Sequence, residues 1–168
     1  MVDKNQAVID FLITCPAIQA NPLFFNFLNA KDNNQQIVTQ ANDKSMQHPY
    51  IDGSVLKQYT FTLIFFKSVL YQAIPKNLEI PGTTTPATDY VSENVVEIGD
   101  VQAIIDWVET QADSRNYPDF GANCQIDGMK ALSENPGLNG VDTSVTPALA
   151  KYSFSIQIDY LDTTKAIW

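Results

Sequence analysis

Residues 150–162, AKYSFSIQIDYLD, alternate almost without a break between large apolar side chains and small or polar ones. Side chains of an extended chain repeat every two residues, so Tyr152, Phe154, Ile156, Ile158 and Tyr160 share one face. Ser153, Ser155, Gln157 and Asp159 share the other. The pattern predicts a strand with one face in a core, and the fold depends on what covers that face.

Two other segments answer it. From Val55 the chain reads VLKQYTFTLIFFKSVLY, in which Tyr59, Phe61, Leu63 and Phe65 alternate with Thr60, Thr62, Ile64 and Phe66. Its second half is apolar on both faces, as in a strand covered on both sides. GDVQAIIDWVETQAD, residues 99–113, predicts a helix with Asp100 as N-cap and an apolar stripe of Val101, Ile104, Ile105 and Val108. That stripe is the natural cover for Tyr152, Phe154, Ile156 and Ile158, and Asp106, Glu109 and Asp113 mark the helix's outer side.

Further out the signals are shorter. Residues 4–14 predict a helix through Ala7, Val8, Phe11 and Leu12, ended by Pro16. NPLFFNFL repeats the helical spacing from Pro22 with Leu23, Phe24, Phe27 and Leu28. QIVTQAND is a candidate short strand, HPYIDGS a turn, QIDGMKAL a strand and ENPGLNG a turn cluster. Residues 75–90, PKNLEIPGTTTPATDY, hold three prolines and a threonine run, which reads as a long loop or arm. It is either a surface insertion or a segment that orders against a partner. Strands come in neighbouring groups and do not alternate regularly with helices. The expected fold is therefore one α+β domain over residues 1–168, with a helical N-terminal segment in 1–34. An antiparallel or mixed β-sheet carries a helix packed across one face.

The composition suits such a domain: 168 residues, 45% hydrophobic, bury about 70% of the surface an unfolded chain exposes. Cys15 and Cys124 lie far apart and form no CxxC pair, so the expectation is two buried or half-buried thiols, with neither a disulfide framework nor a zinc site. The apolar run near the N-terminus is interrupted by Asp10 and is too short to span a membrane, and no cationic leader precedes it. The expectation is a cytoplasmic product.

Nineteen acidic against ten basic residues give a net charge of -9, and the single arginine is Arg115. From Asp89 to Asp119 eight acids face Arg115 alone, a local net of -7. Such a field repels phosphate, which argues against specific nucleic-acid binding.

Catalytic signatures are absent: there is no GxGxxG, GxxxxGK[ST], HExxH, EF-hand or GxSxG spacing. The only histidine, His48, sits beside Pro49 in a turn without a carboxylate or second histidine at ligand spacing. Carboxylate pairs such as Asp106 with Glu109, or Asp159 with Asp162, are what so acidic a surface produces anyway. Neither a cofactor nor a metal site is expected. What remains is specificity held in surfaces, as in an assembly subunit.

Four segments carry a resemblance: VLKQYTFTLIFFKS, IIDWVETQ, NYPDFGANCQIDGM and ALAKYSFSIQIDYLD. Over residues 52–165 the chain resembles the tail terminator, or tail-completion, proteins of tailed bacteriophages and phage-tail-like bacteriocins, often labelled minor capsid proteins. The resemblance implies an α+β subunit without enzymatic activity or cofactor. Such a subunit closes into a ring, expected to be a hexamer, on the head-proximal end of the tail tube. There it ends tube polymerisation and offers a docking surface to the neck or head connector. The implied partners are further copies of itself, the tube protein, the neck and head connector proteins and, in a contractile tail, the sheath; DNA would pass through without specific binding. The implied location is the virion tail or neck, assembled in the bacterial host's cytoplasm.

A ring needs a heterologous contact. The expected sources are an exposed strand surface at Leu63, Ile64, Phe65 and Phe66, or the arm with Pro81, Thr84 and Pro86. Asp106, Glu109 and Asp113 would face either the DNA channel or a basic neighbour. The competing readings are another neck component, such as a head-completion or connector protein, more distantly the tube protein itself, and, from a different class, a small-ligand-binding or enzymatic domain whose aromatic faces line a pocket.

Overall fold

The computed structural model describes residues 2–27, 29–41, 47–69 and 93–166, and within the last of these the side chains from residue 98 on. In chain order the elements are α1 (Lys4–Leu12), α2 (Pro16–Gln19), β1 (Leu23–Phe25), β2 (Gln35–Thr39), β3 (His48–Pro49), β4 (Val55–Val69), α3 (Glu93–Asp113), β5 (Cys124–Ala131), β6 (Gly137–Asp142) and β7 (Ala148–Asp162).

The sheet is organised around its two longest strands. β4 and β7, fifteen residues each, pair antiparallel in unbroken register from Val55↔Asp162 to Val69↔Ala148. At about 3.4 Å per residue this ribbon is roughly 50 Å long. β2 and β3 share the outer edge of β4, and β1 adds to β2 in parallel. β5 and β6 share the outer edge of β7. The seven-stranded sheet is therefore mixed, and the fold is α+β with a helix packed on the sheet.

One face holds the core. Tyr152, Phe154, Ile156, Ile158 and Tyr160 of β7 and Phe61, Leu63 and Phe65 of β4 are all buried there, in one cluster with Val101, Ile104, Ile105 and Val108 of α3. Phe65 stacks on Phe154 across the ribbon with ring centroids 5.9 Å apart. α1 joins the same layer through Ala7, Val8, Phe11 and Leu12, and the Phe11 ring lies 5.0 Å from that of Trp107. Each such side chain contributes about 1.5–3 kcal/mol on burial, so this face fixes the fold.

Four local expectations are corrected. Leu23–Phe25 is a strand and not the start of a helix: Asn26 N–H bonds Ile37 O at 2.8 Å and Gln35 N–H bonds Pro22 O at 3.0 Å. Pairing with β2 supplied more backbone hydrogen bonds than a short helix beginning at Pro22 could. Pro16 does not merely end α1; it occupies the first turn of α2, where a missing N–H costs nothing. Asp100 lies inside α3, which begins at Glu93, and its carboxylate receives the Lys67 ammonium at 3.1 Å instead of capping. Finally, ENPGLNG is not wholly a turn: its Gly137–Gly140 open β6, because β7 runs past β5 and leaves backbone groups for it to pair with.

Candidate functional site

The sheet face away from α3 is built by the alternation that fills the core. It carries Thr60 and Thr62 from β4 and Ser153, Ser155, Gln157 and Asp159 from β7. Neighbouring side chains satisfy one another: Thr62 Oγ1 and Ser155 Oγ lie 2.9 Å apart, and Gln40 Nε2 donates to Thr62 Oγ1 and, at 3.2 Å, to Ser155 Oγ. Gln157 Nε2 donates to Asp159 at 2.9 Å, and Asn139 donates to Ser153 Oγ. The result is a half-buried, preorganised field of hydroxyls and amides, with Asp159, Lys151 and Lys130 as charged groups on the same face. It offers hydrogen bonds and no nucleophile with an adjacent base.

Of the expected contact residues, Leu63, Ile64, Phe65 and Phe66 are all buried, at 0%, 8%, 1% and 8% exposure. This corrects the expectation that they form an exposed strand surface: Leu63 and Phe65 belong to the core, and Ile64 and Phe66 are buried on the opposite face. Pro81, Thr84 and Pro86 lie outside the described residues. Asp106, Glu109 and Asp113 are exposed on α3, with Asp106 accepting a hydrogen bond from Gln102 at 2.9 Å. They are not brought together with the hydroxyl face. His48 is exposed in β3, Cys15 is buried and Cys124 half-buried, both thiols free. Among the described residues no group of three or more His, Cys, Asp or Glu side chains is placed to hold a metal ion. No described helix is long and apolar enough to cross a membrane.

The edges are equally informative. An open edge invites further strands, and here each is short or irregular: β1 has three residues, β3 has two, and β5 and β6 each carry a register shift.

Electrostatic detail gathers where the ribbon starts and finishes. Burial alone would raise the Asp162 carboxyl, but the Lys57 ammonium at 2.6 Å and two hydrogen bonds from Thr164 outweigh it and hold the group well below the usual carboxylate range. Burial, with Asp3 and Tyr160 adding to it, pushes the Tyr59 phenol up to about 12, and its hydroxyl donates to Asn5 Oδ1 in α1. The Lys4 ammonium sits 5.2 Å from the centroid of Tyr160, closing the N-terminal helix against the sheet.

No family model, no curated protein and no solved structure matches this chain.

Sequence reasoning missed one feature of this end. The turn after β3 projects Ile51, fully exposed, and Tyr50, 54% exposed, above Leu56 and Leu161. The signal was present in PYIDGS, where an apolar pair precedes a tight Asp-Gly turn.

Proposed function

We propose that this chain is a structural subunit of a phage-type tail, a tail terminator. It forms a ring, expected to be hexameric, on the head-proximal end of the tube, ends tube growth and presents a surface to the neck. Its place is the virion, its partners are its own copies, the tube protein and the neck proteins, and it does no chemistry.

The observation that carries this reading is the one-sided ribbon. A sheet roughly 50 Å long has helices on one face, and the middle of its other face, from Thr60 and Thr62 to Ser155 and Gln157, is a preorganised hydroxyl and amide surface. A wall between a helical exterior and a wet channel or neighbour needs that division. The pattern shared by the four segments named above supports the same reading. The aromatic faces that a ligand-binding domain would use as a pocket are packed on one another in the core, which counts against that alternative.

The test is to mix purified protein with tail tubes and measure particle mass and image the tube ends. Discrete rings that cap tubes and stop their elongation are the expected result. A monomer that ignores tubes would sink the proposal, and indefinite stacking would point to a tube protein. A ring that joins head connectors and leaves tubes uncapped would favour another neck component.

A further inference from the structure

At the end of the ribbon where β4 starts and β7 finishes, the face away from α3 carries a groove of about 510 Å3. Its floor is Leu56 and Leu161, paired directly across the ribbon. Its wall is the turn bearing Tyr50 and Ile51. This turn is held in shape from within: Tyr50 N–H bonds Ser54 O at 2.8 Å, and Ser54 donates to Asp52 Oδ1 from both its N–H, at 3.0 Å, and its hydroxyl, at 2.7 Å. Gly53 adopts a φ of +85°, and a Cβ there would stand 2.5 Å from Lys165 O. An apolar ridge on a pinned turn needs little ordering when something binds it, which is the condition that favours a contact hot spot.

Charge narrows the occupant. Among the described residues the charged groups lining the groove are Asp52 and Asp127, both exposed. The Ser54 hydroxyl and amide donate to the Asp52 carboxylate and hold its pKa below its ordinary range. Two copies docked through this groove would bring four carboxylates together in chains that each carry a net -9. Like charges at a contact oppose it, and opposite charges steer and select it.

We propose that this groove docks a short segment of a different protein, one that offers a large apolar side chain with a lysine or arginine beside it. The apolar side chain lies on Leu56 and Leu161 against Ile51, and the cation meets Asp127 or Asp52. The proposal deepens the terminator reading, resting on it only for the partner's place in the tail, and names the chemistry of a neighbour that the ring would hold.

The probe is a capped heptapeptide, Gly-Lys-Gly-Phe-Gly-Lys-Gly, titrated into the isotope-labelled full chain and followed by amide chemical shifts. Weak binding on the order of millimolar is expected for so few contacts, with shifts confined to residues 50–56, 125–127 and 161. Replacing the peptide's Phe by Ala, or its Lys by Glu, should abolish those shifts. Asp127→Lys should weaken binding roughly fivefold, the upper range of one exposed ion pair. Ile51→Ser, at a fully exposed position that the fold does not need, should weaken it as well. Shifts that are absent, scattered over the surface, or equal with the Glu peptide overturn the proposal. So does concentration-dependent self-association mapping to these same residues, which would make a second copy the occupant. A failed titration leaves ring formation to be judged on tube ends, and a failure to form rings leaves the titration standing.

Discussion

β4 and β7 have the same length and lie side by side in unbroken register, yet they treat the face away from the helix differently. β7 sets Ser153, Ser155, Gln157 and Asp159 there, half-buried throughout. β4 sets Thr60 and Thr62, then changes to Ile64 and Phe66, each only 8% exposed. Across from these two lie Ser153 and Lys151, and beside Ile64 in β2 lies Gln36, wholly buried. A period-two pattern therefore identifies the core face only where the opposite face is wet. In the second half of β4 both faces are covered, and alternation loses its meaning.

The largest effects should come from the shared core face. Phe154→Ala removes the ring stacked on Phe65 and should cost about 4 kcal/mol in urea unfolding. Phe66→Ala should cost about 3 kcal/mol although it lies on the other face; a loss below about 0.5 kcal/mol, the usual range for surface positions, would mean that this half of the far face is not covered in solution.

Smaller effects separate the wet half. Thr62→Val alone should cost about 1 kcal/mol by orphaning part of the Ser155 and Gln40 cluster, whereas Thr62→Val with Ser155→Ala should recover part of the loss. A double-mutant cycle with no coupling would show that this hydrogen-bond pair adds nothing. Gln36 gives the opposite sign, since among the described residues neither its Oε1 nor its Nε2 has a hydrogen-bond partner. Gln36→Met should therefore raise stability by about 1 kcal/mol, and a loss on substitution would reveal that the amide is used.

Asp162 tests the open end of the ribbon. Its folded-state pKa lies below that of the unfolded chain. Its stabilisation is therefore complete above the unfolded value of about 3.9 and is lost as pH falls through the folded value. Asp162→Asn should reduce stability at pH 7 by about 1 kcal/mol and flatten the decline between about pH 4 and the acid limit. Equal acid sensitivity in both proteins would remove Lys57–Asp162 from the account.

The smallest effect on folding is expected for Asp106→Lys with Glu109→Lys, within about 0.5 kcal/mol because both are exposed on α3. Their use is in docking assays on tube ends. On the proposed terminator role, loss of partner binding assigns the acidic side of α3 to a basic neighbour, and unchanged binding leaves it a solvated outer surface.

Much of the fold was legible in the sequence because it was local. The alternation in Tyr152–Tyr160 and Tyr59–Phe65 and the stripe Val101–Val108 each report one element's buried side, and the three stripes meet where they were expected to. For the candidate surface, the exposure of Asp106, Glu109 and Asp113 and the polar side of β7 were legible for the same reason. Tertiary structure decided what local pattern does not encode. Leu23–Phe25 became a strand because β2 offered it hydrogen bonds, and Gly137–Asp142 became one because β7 runs past β5. Asp100 exchanged a cap for Lys67 because a buried ammonium requires a nearby anion. Ile64 and Phe66 are buried and not exposed as expected because burial is a property of what lies above a residue in space. Local periodicity fixes which way a side chain points, and only packing decides what it meets there.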